Sequence, residues 1–92
     1  MELPELPDKS ALRARLTGWA ARQHLTSREL DLVIQLHLGH RDKHIAHNLG
    51  IALTTVSTEL RALYRKTGVT SRNELVAACL GVLLSGGGVA GM

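Results

Sequence analysis

The chain has 92 residues, 45% of them apolar and 21% charged, with a formal net charge of +3. That suffices for one domain around one core, is too short to carry a sensor domain of ordinary size as well, and is too apolar for a disordered tail. The mild basic excess permits a phosphate-rich partner without establishing one. Phe is absent, and Trp19 and Tyr64 are the only aromatic residues. The core must therefore be aliphatic. A composition rich in Leu and Ala with few β-branched runs favours helices.

In chain order, Met1–Pro7 carries two prolines and no periodicity, and reads as an extended arm. Its acidic start lacks the apolar stretch of a secretory signal. Asp8 or Ser10 is a cap candidate for a first helix over about 8–23. Leu12, Leu16, Trp19 and Ala20 fall at i, i+4, i+7 and i+8 there, one helical stripe. Residues 1–24 form an N-terminal unit whose helix is a linker, an added piece of core or a dimer surface. These three readings stay open.

A second helix over about 26–38 opens at Thr26 or Ser27, with Glu29 at capping-box spacing from Thr26 and Gly39 as its stop. A third, short helix spans about 42–49, with Ile45, Ala46 and Leu49 inward and Gly50 at its end. A fourth spans about 53–67, with Val56, Leu60, Leu63 and Tyr64 as its apolar positions. A fifth spans about 71–85, where Ser71 and Glu74 again have capping-box spacing. The Gly-rich residues 86–92 read as a flexible tail. No segment alternates with period two, so no sheet is expected. The fold class is all-α: a four-helix unit over 25–85 behind one additional N-terminal helix.

Cys79 is the single cysteine, which excludes an internal disulfide and fits a reduced, cytoplasmic setting. In its apolar surroundings it reads as a small buried hydrophobe. The longest apolar stretch, Val76–Leu84, is about half of the ~20 residues a membrane-spanning helix needs. No membrane association is expected.

The most informative stretch is Lys43–Val56, KHIAHNLGIALTTV. A short helix with Ile45, Ala46 and Leu49 inward is followed by Gly50, Ile51 and a second helix with Val56 inward. That is the pattern of a helix-turn-helix. The turn needs a residue tolerant of positive φ, the close helix crossing needs a small residue such as Ala46, and Ile51 fills the angle. The fourth helix carries Thr54, Ser57, Thr58, Arg61 and Arg65 at i, i+3, i+4, i+7 and i+11, a polar stripe opposite Val56, Leu60 and Leu63. An ordinary solvated face is richer in Glu and Lys. Short hydroxyls with Arg suit a DNA groove, because hydroxyls reach phosphates or base edges and Arg grips guanine O6 and N7 together.

Over a wider span, Leu25–Leu80 resembles the DNA-binding domain of LuxR-, GerE- and NarL-type bacterial transcription regulators. The resemblance is carried by Leu25-Thr26, Arg28-Glu29, Leu32, Gly39, Lys43, Ile45-Ala46, Leu49-Gly50-Ile51, Thr55-Val56, Lys66, Gly68-Val69, Ser71-Arg72 and Glu74-Leu75-Val76. It implies sequence-specific binding of double-stranded DNA, with helix 53–67 in the major groove. Ser57, Thr58 and Arg61 would then face the groove, and Lys43, Thr54 and Thr55 would approach phosphates. It also implies a homodimer paired through the last helix, at Leu75, Val76, Cys79, Leu80 and Leu83. The chain departs from the family pattern at Arg41, Ala52, Ser57 and Glu59, where small capping residues, a cation and often His are usual. Those departures reduce positive charge at the reading helix. Glu59 is expected to pair with a neighbouring arginine rather than to read cytosine N4.

The departures also motivate an alternative: a helical adaptor that keeps the fold and acts by binding another regulatory protein. His37, His40, His44 and His47 have spacings a metal can use. Gly39 and Arg41 interrupt the helix between them and no Cys accompanies them, so a solvated face is the favoured reading and no metal is expected. No nucleophile elbow or phosphate-cradling loop is present, so neither an enzyme nor a bound cofactor is expected.

Overall fold

Five stretches of the sequence carry apolar residues at helical spacing. Each is a helix in the computed structural model, which describes residues 9–85. They are α1 (Lys9–Arg22), α2 (Ser27–His37), α3 (Asp42–Leu49), α4 (Leu53–Thr67) and α5 (Arg72–Leu84), and no strand occurs among the described residues. The expected arm at Met1–Pro7, the cap candidate Asp8 and the expected flexible tail at 86–92 lie outside them. Helix ends fall within a residue or two of expectation. Leu38 and Ser85 terminate α2 and α5 instead of belonging to them.

The centre of the bundle is α2. Leu32, Val33, Ile34, Gln35 and Leu36 are all buried in succession, which a helix manages only when neighbours cover most of its circumference. Here α1, α4 and α5 pack around it, while α3 rests on α4. The first helix belongs to this core. Leu12, Leu16, Trp19 and Ala20 are buried in it. Arg13 forms an ion pair with Asp31 of α2, and the Arg15 guanidinium donates to the Leu83 carbonyl of α5 at 2.9 Å. The apolar stripe of this helix is thus part of the core of the described residues.

The chain reversals after α1, α2, α3 and α4 share one device, a residue of positive φ followed by an N–H that returns to the helix. At the end of α3, Gly50 has φ 68°, and the Ile51 N–H reaches back to the Ala46 carbonyl at 3.1 Å. Nothing lies within 4 Å of where a Cβ would sit on Gly50. The glycine is there for its backbone angle and not for room. At the end of α1 the corresponding residue is His24, at φ 60°, with the Leu25 N–H on the Ala20 carbonyl at 3.0 Å.

The capping box at Thr26 forms in both directions. Its hydroxyl accepts from the Glu29 N–H at 3.1 Å, and the Glu29 carboxylate accepts from the Thr26 N–H at 2.8 Å. The same carboxylate oxygen takes the Lys66 ammonium of α4 at 2.8 Å. Burial pushes the Glu29 pKa up, but the hydrogen bond from Lys66, the Thr26 N–H and the lysine charge together outweigh it. The net position is below the ordinary glutamate value. A carboxylate with a lowered folded pKa stabilises the fold above its unfolded value, about 4.3, and loses that contribution as pH falls through the folded value. Glu29→Ala should therefore cost about 1–2 kcal/mol at pH 7 through the lost cap and lysine pair. In urea melts the gap from the parent chain should narrow below about pH 4.

Candidate nucleic-acid interface

The scaffold of the interface is α3, the turn at Gly50 and α4. Ile45 and Val56 are fully buried and Ala46 nearly so, which draws the two helices together. With its inner side fixed by Val56, Leu60 and Leu63, α4 turns Thr54, Thr58, Arg61 and Arg65 outward, with Thr55 exposed beside them. Ser57 is placed differently from the other members of the expected stripe. It is half-buried and lines a groove of about 660 Å³ together with Arg41, Asp42, Lys43, Leu53 and Arg72. It therefore sits on the flank of α4 nearest α3. The Thr58 hydroxyl donates to the Thr54 carbonyl at 3.1 Å, so its lone pairs face outward.

Charge is distributed unevenly over this surface. All of the described carboxylates have partners: Glu29 with Lys66, Asp31 with Arg13, Asp42 with Arg72, Glu59 with Arg28, and Glu74 with the N–H and hydroxyl of Thr70. Among the described residues, Arg15 and Arg22 of α1 and Arg41, Lys43, Arg61 and Arg65 of this surface form no ion pair, and all six are exposed. Arg61 and Arg65 stand on the outward face of α4, while Arg41 and Lys43 flank it at the start of α3. The N-caps of α3 and α4, Arg41 and Ala52, make no side-chain cap. The capping hydrogen bond is thus lost at Ala52 and is not taken over by Thr54. No side chain covers the first-turn N–H groups of either helix, although the Thr55 N–H turns back to the Ala52 carbonyl at 3.0 Å.

Sequence reasoning matched Arg72 only as a family residue and gave it no task. In the fold it is a clamp. Its guanidinium donates to the His40 carbonyl at 2.7 Å and to Asp42 at 2.9 Å, tying the first turn of α5 to the connection before α3. Tyr64 lies nearby, its phenol pushed up by burial, with Arg72 and Asp42 acting in opposite directions. Gln35 is the one buried polar side chain among the described residues. Its carbonyl oxygen accepts from Asn48 at 2.9 Å and lies 3.2 Å from His40 Nδ1, joining α2 to α3. His40 also stacks on His44, ring centroids 4.1 Å apart. No group of three or more potential metal ligands comes together among the described residues.

The surface expected at the last helix needs correcting at two positions. Leu75 and Cys79 are 0% exposed and face the protein's own core, so neither is open to a second subunit. Burial pushes the Cys79 thiol up to about 11, far from a reactive thiolate at neutral pH. Val76 and Leu83 are half-buried against the core. Leu80 and Leu84 are the exposed large apolar residues of α5, at 46% and 78%. The helix reads as uncovered in sequence because the elements that cover it, α1 and α2, are remote in the chain.

The family of bacterial regulatory proteins of the luxR type matches residues 23–79, more than half of the chain. A monoamine regulon transcriptional regulator of Klebsiella aerogenes is 43% identical over 53 residues, which are 58% of this chain and 23% of that protein. The HTH-type transcriptional regulator MalT of Yersinia pestis is 40% identical over 52 residues, 56% of this chain and 6% of that protein. The chain thus spans less than a quarter of the length of either relative. No solved structure matches it. No described helix is long and apolar enough to cross a membrane. The family is one of DNA-binding transcription regulators and not of enzymes, and the five-helix fold is that of its helix-turn-helix domain with one helix added in front. The chain belongs to the LuxR family of bacterial regulatory proteins.

Proposed function

We propose that the chain binds double-stranded DNA sequence-specifically, with α4 in the major groove, as a regulator of transcription in the cytoplasm. The observation that carries this reading is the division of charge. The described carboxylates all have partners, and four cations without ionic partners stand on or beside one outward helix face. A major groove about 12 Å wide accepts one helix. Thr58 and Arg61 then face base edges, with Arg65 and Thr54 beside them. Lys43, Arg41 and Thr55 approach phosphates, supported by the uncapped helix starts. Ser57, on the flank, is assigned to a groove wall and not to the bases. Two chains pair through α5 around Leu80, with Val76, Leu83 and Leu84 at its sides, on a two-fold-related site.

The adaptor reading rests on the changes at Ala52, Ser57 and Glu59 and on the apolar last helix, Val76–Leu84, whose larger apolar residues pack on the core apart from Leu80 and Leu84. The negative charge at Glu59 is matched by Arg28. The DNA reading is therefore preferred.

The test is a gel shift of randomised duplex pools, followed by a salt titration on the selected duplex. Affinity should fall linearly on a log–log scale, by about 0.9 per phosphate neutralised. The shifted complex should contain two chains. Absence of any duplex binding at low salt, with tight binding to a partner protein, would favour the adaptor.

A further inference from the structure

We infer that Glu59 limits non-specific DNA affinity by holding Arg28 off the phosphate backbone. The inference rests on the DNA-binding reading and concerns one edge of the same surface. Glu59 lies four residues after Thr55 and three before Ala62, so these three form a ridge beside the outward ridge of Thr58 and Arg61. A helix with its side chains is about 10–12 Å across and the major groove about 12 Å wide, so the flanks of an inserted helix meet the groove walls. Those walls are phosphates. A carboxylate on that flank would be repelled, and a cation there would be attracted.

The chain places one of each. The Arg28 guanidinium, at the second residue of α2, reaches across to both oxygens of Glu59, at 3.2 and 3.3 Å. Both side chains are partly open to solvent, 43% and 30% exposed. The pair is therefore neutral in sum and weakly held in water, and the arginine is close enough to the flank to change partners. The neighbouring pair on this side is different. Lys66 is shared between Glu29 and the His24 carbonyl, and the Glu29 side chain is only 13% exposed. That lysine keeps the His24 carbonyl even when its carboxylate is removed, whereas the Arg28 guanidinium is held by Glu59. With Glu59 present, Arg28 adds nothing to the attraction for an arbitrary duplex. The bound state then depends more on what Thr58 and Arg61 read.

Charge-removing variants of both residues, which keep side-chain size, test this on an unrelated duplex and on one selected from a random pool. Glu59→Gln should raise affinity for the unrelated duplex about five- to tenfold at low salt and steepen its salt dependence by about 0.9 per chain, the value for one added phosphate contact. Affinity for the selected duplex should rise by no more than that, so discrimination does not improve. Arg28→Gln alone leaves Glu59 unpaired at the groove wall and should weaken both complexes. The double variant should return to the parent value, which separates release of Arg28 from any change in folding. Thermal melts of all four chains verify that each is folded. A Glu59→Gln chain that binds no tighter than the parent, or a double variant that keeps the gain, overturns the inference while DNA binding by the parent stands. Failure of the parent to bind any duplex overturns both.

Discussion

Replacing Leu16 by alanine should cost about 3 kcal/mol, within the 2–5 kcal/mol range for buried leucines, and lower the melting temperature by roughly 12–24 °C. Leu16 is 0% exposed and lies in the middle of α1. Its removal deletes apolar burial and leaves a cavity between α1 and the helices it packs on, α2 and α5. A domain of this size has a total stability of about 5–14 kcal/mol, so one such change is a large share of it. The comparison residue is Thr17, exposed on the same helix, where alanine should stay within about 0.5 kcal/mol. A helix that merely joined this domain to another would give small changes at both positions. Urea or thermal unfolding followed by circular dichroism reads the difference directly.

The same residue shows what a sequence of this kind makes legible. The stripe Leu12, Leu16, Trp19 and Ala20 announces that α1 has an apolar side. Periodicity states which side of a helix is buried but not which element buries it. The docking partners of α1 are fixed by contacts with Asp31 and Leu83, 18 and 68 residues away from their partners on α1. For the same reason Leu75 and Cys79 read as available for a second chain when they are spent on the first. Local features fare better. The capping box at Thr26 and the turn at Gly50 depend on residues within one or two helical turns and are present as read, and Thr54, Thr58, Arg61 and Arg65 of the α4 stripe are exposed. Within that stripe, the placement of Ser57 depends on α3 as much as on α4, and the stripe alone gives no sign of it.

Ion pairs divide along the same line. That Glu59 pairs with an arginine is readable from the surplus of cations, but the partner is Arg28, 31 residues earlier. Lys66 with Glu29 and Arg72 with Asp42 span 37 and 30 residues. These bridges are modest contributors to stability, because their side chains are partly exposed. Their larger effect is on the surface left behind. Once the carboxylates are occupied at the sides of the domain, the face of α4 carries cations with nothing to neutralise them. The charge of the reading surface is thus set by residues on α2 and α5, not by α4 alone.

Removing Arg61 should weaken binding to a selected duplex by about 5- to 150-fold, the equivalent of 1–3 kcal/mol, if its guanidinium reads a base edge. Arg61 is exposed and in no ion pair among the described residues, so Arg61→Ala should leave the melting temperature almost unchanged. The loss then reports on binding and not on folding. Two measurements separate the roles open to an arginine there. A base-reading arginine loses affinity for the selected duplex far more than for an unrelated one, and its preferred base becomes degenerate at one position. A phosphate-contacting arginine loses both about equally, and the salt dependence becomes shallower by about 0.9. Arg65→Ala should show the second behaviour, because Arg65 lies one turn further along α4. Arg61→Lys sharpens the distinction, since lysine keeps the charge but not the planar pair of donors that spans guanine O6 and N7. It should keep the salt dependence of the parent chain and still lose the base preference. Binding that ignores Arg61 altogether would remove it from the reading surface and leave Thr58 as the remaining candidate at the centre of the face.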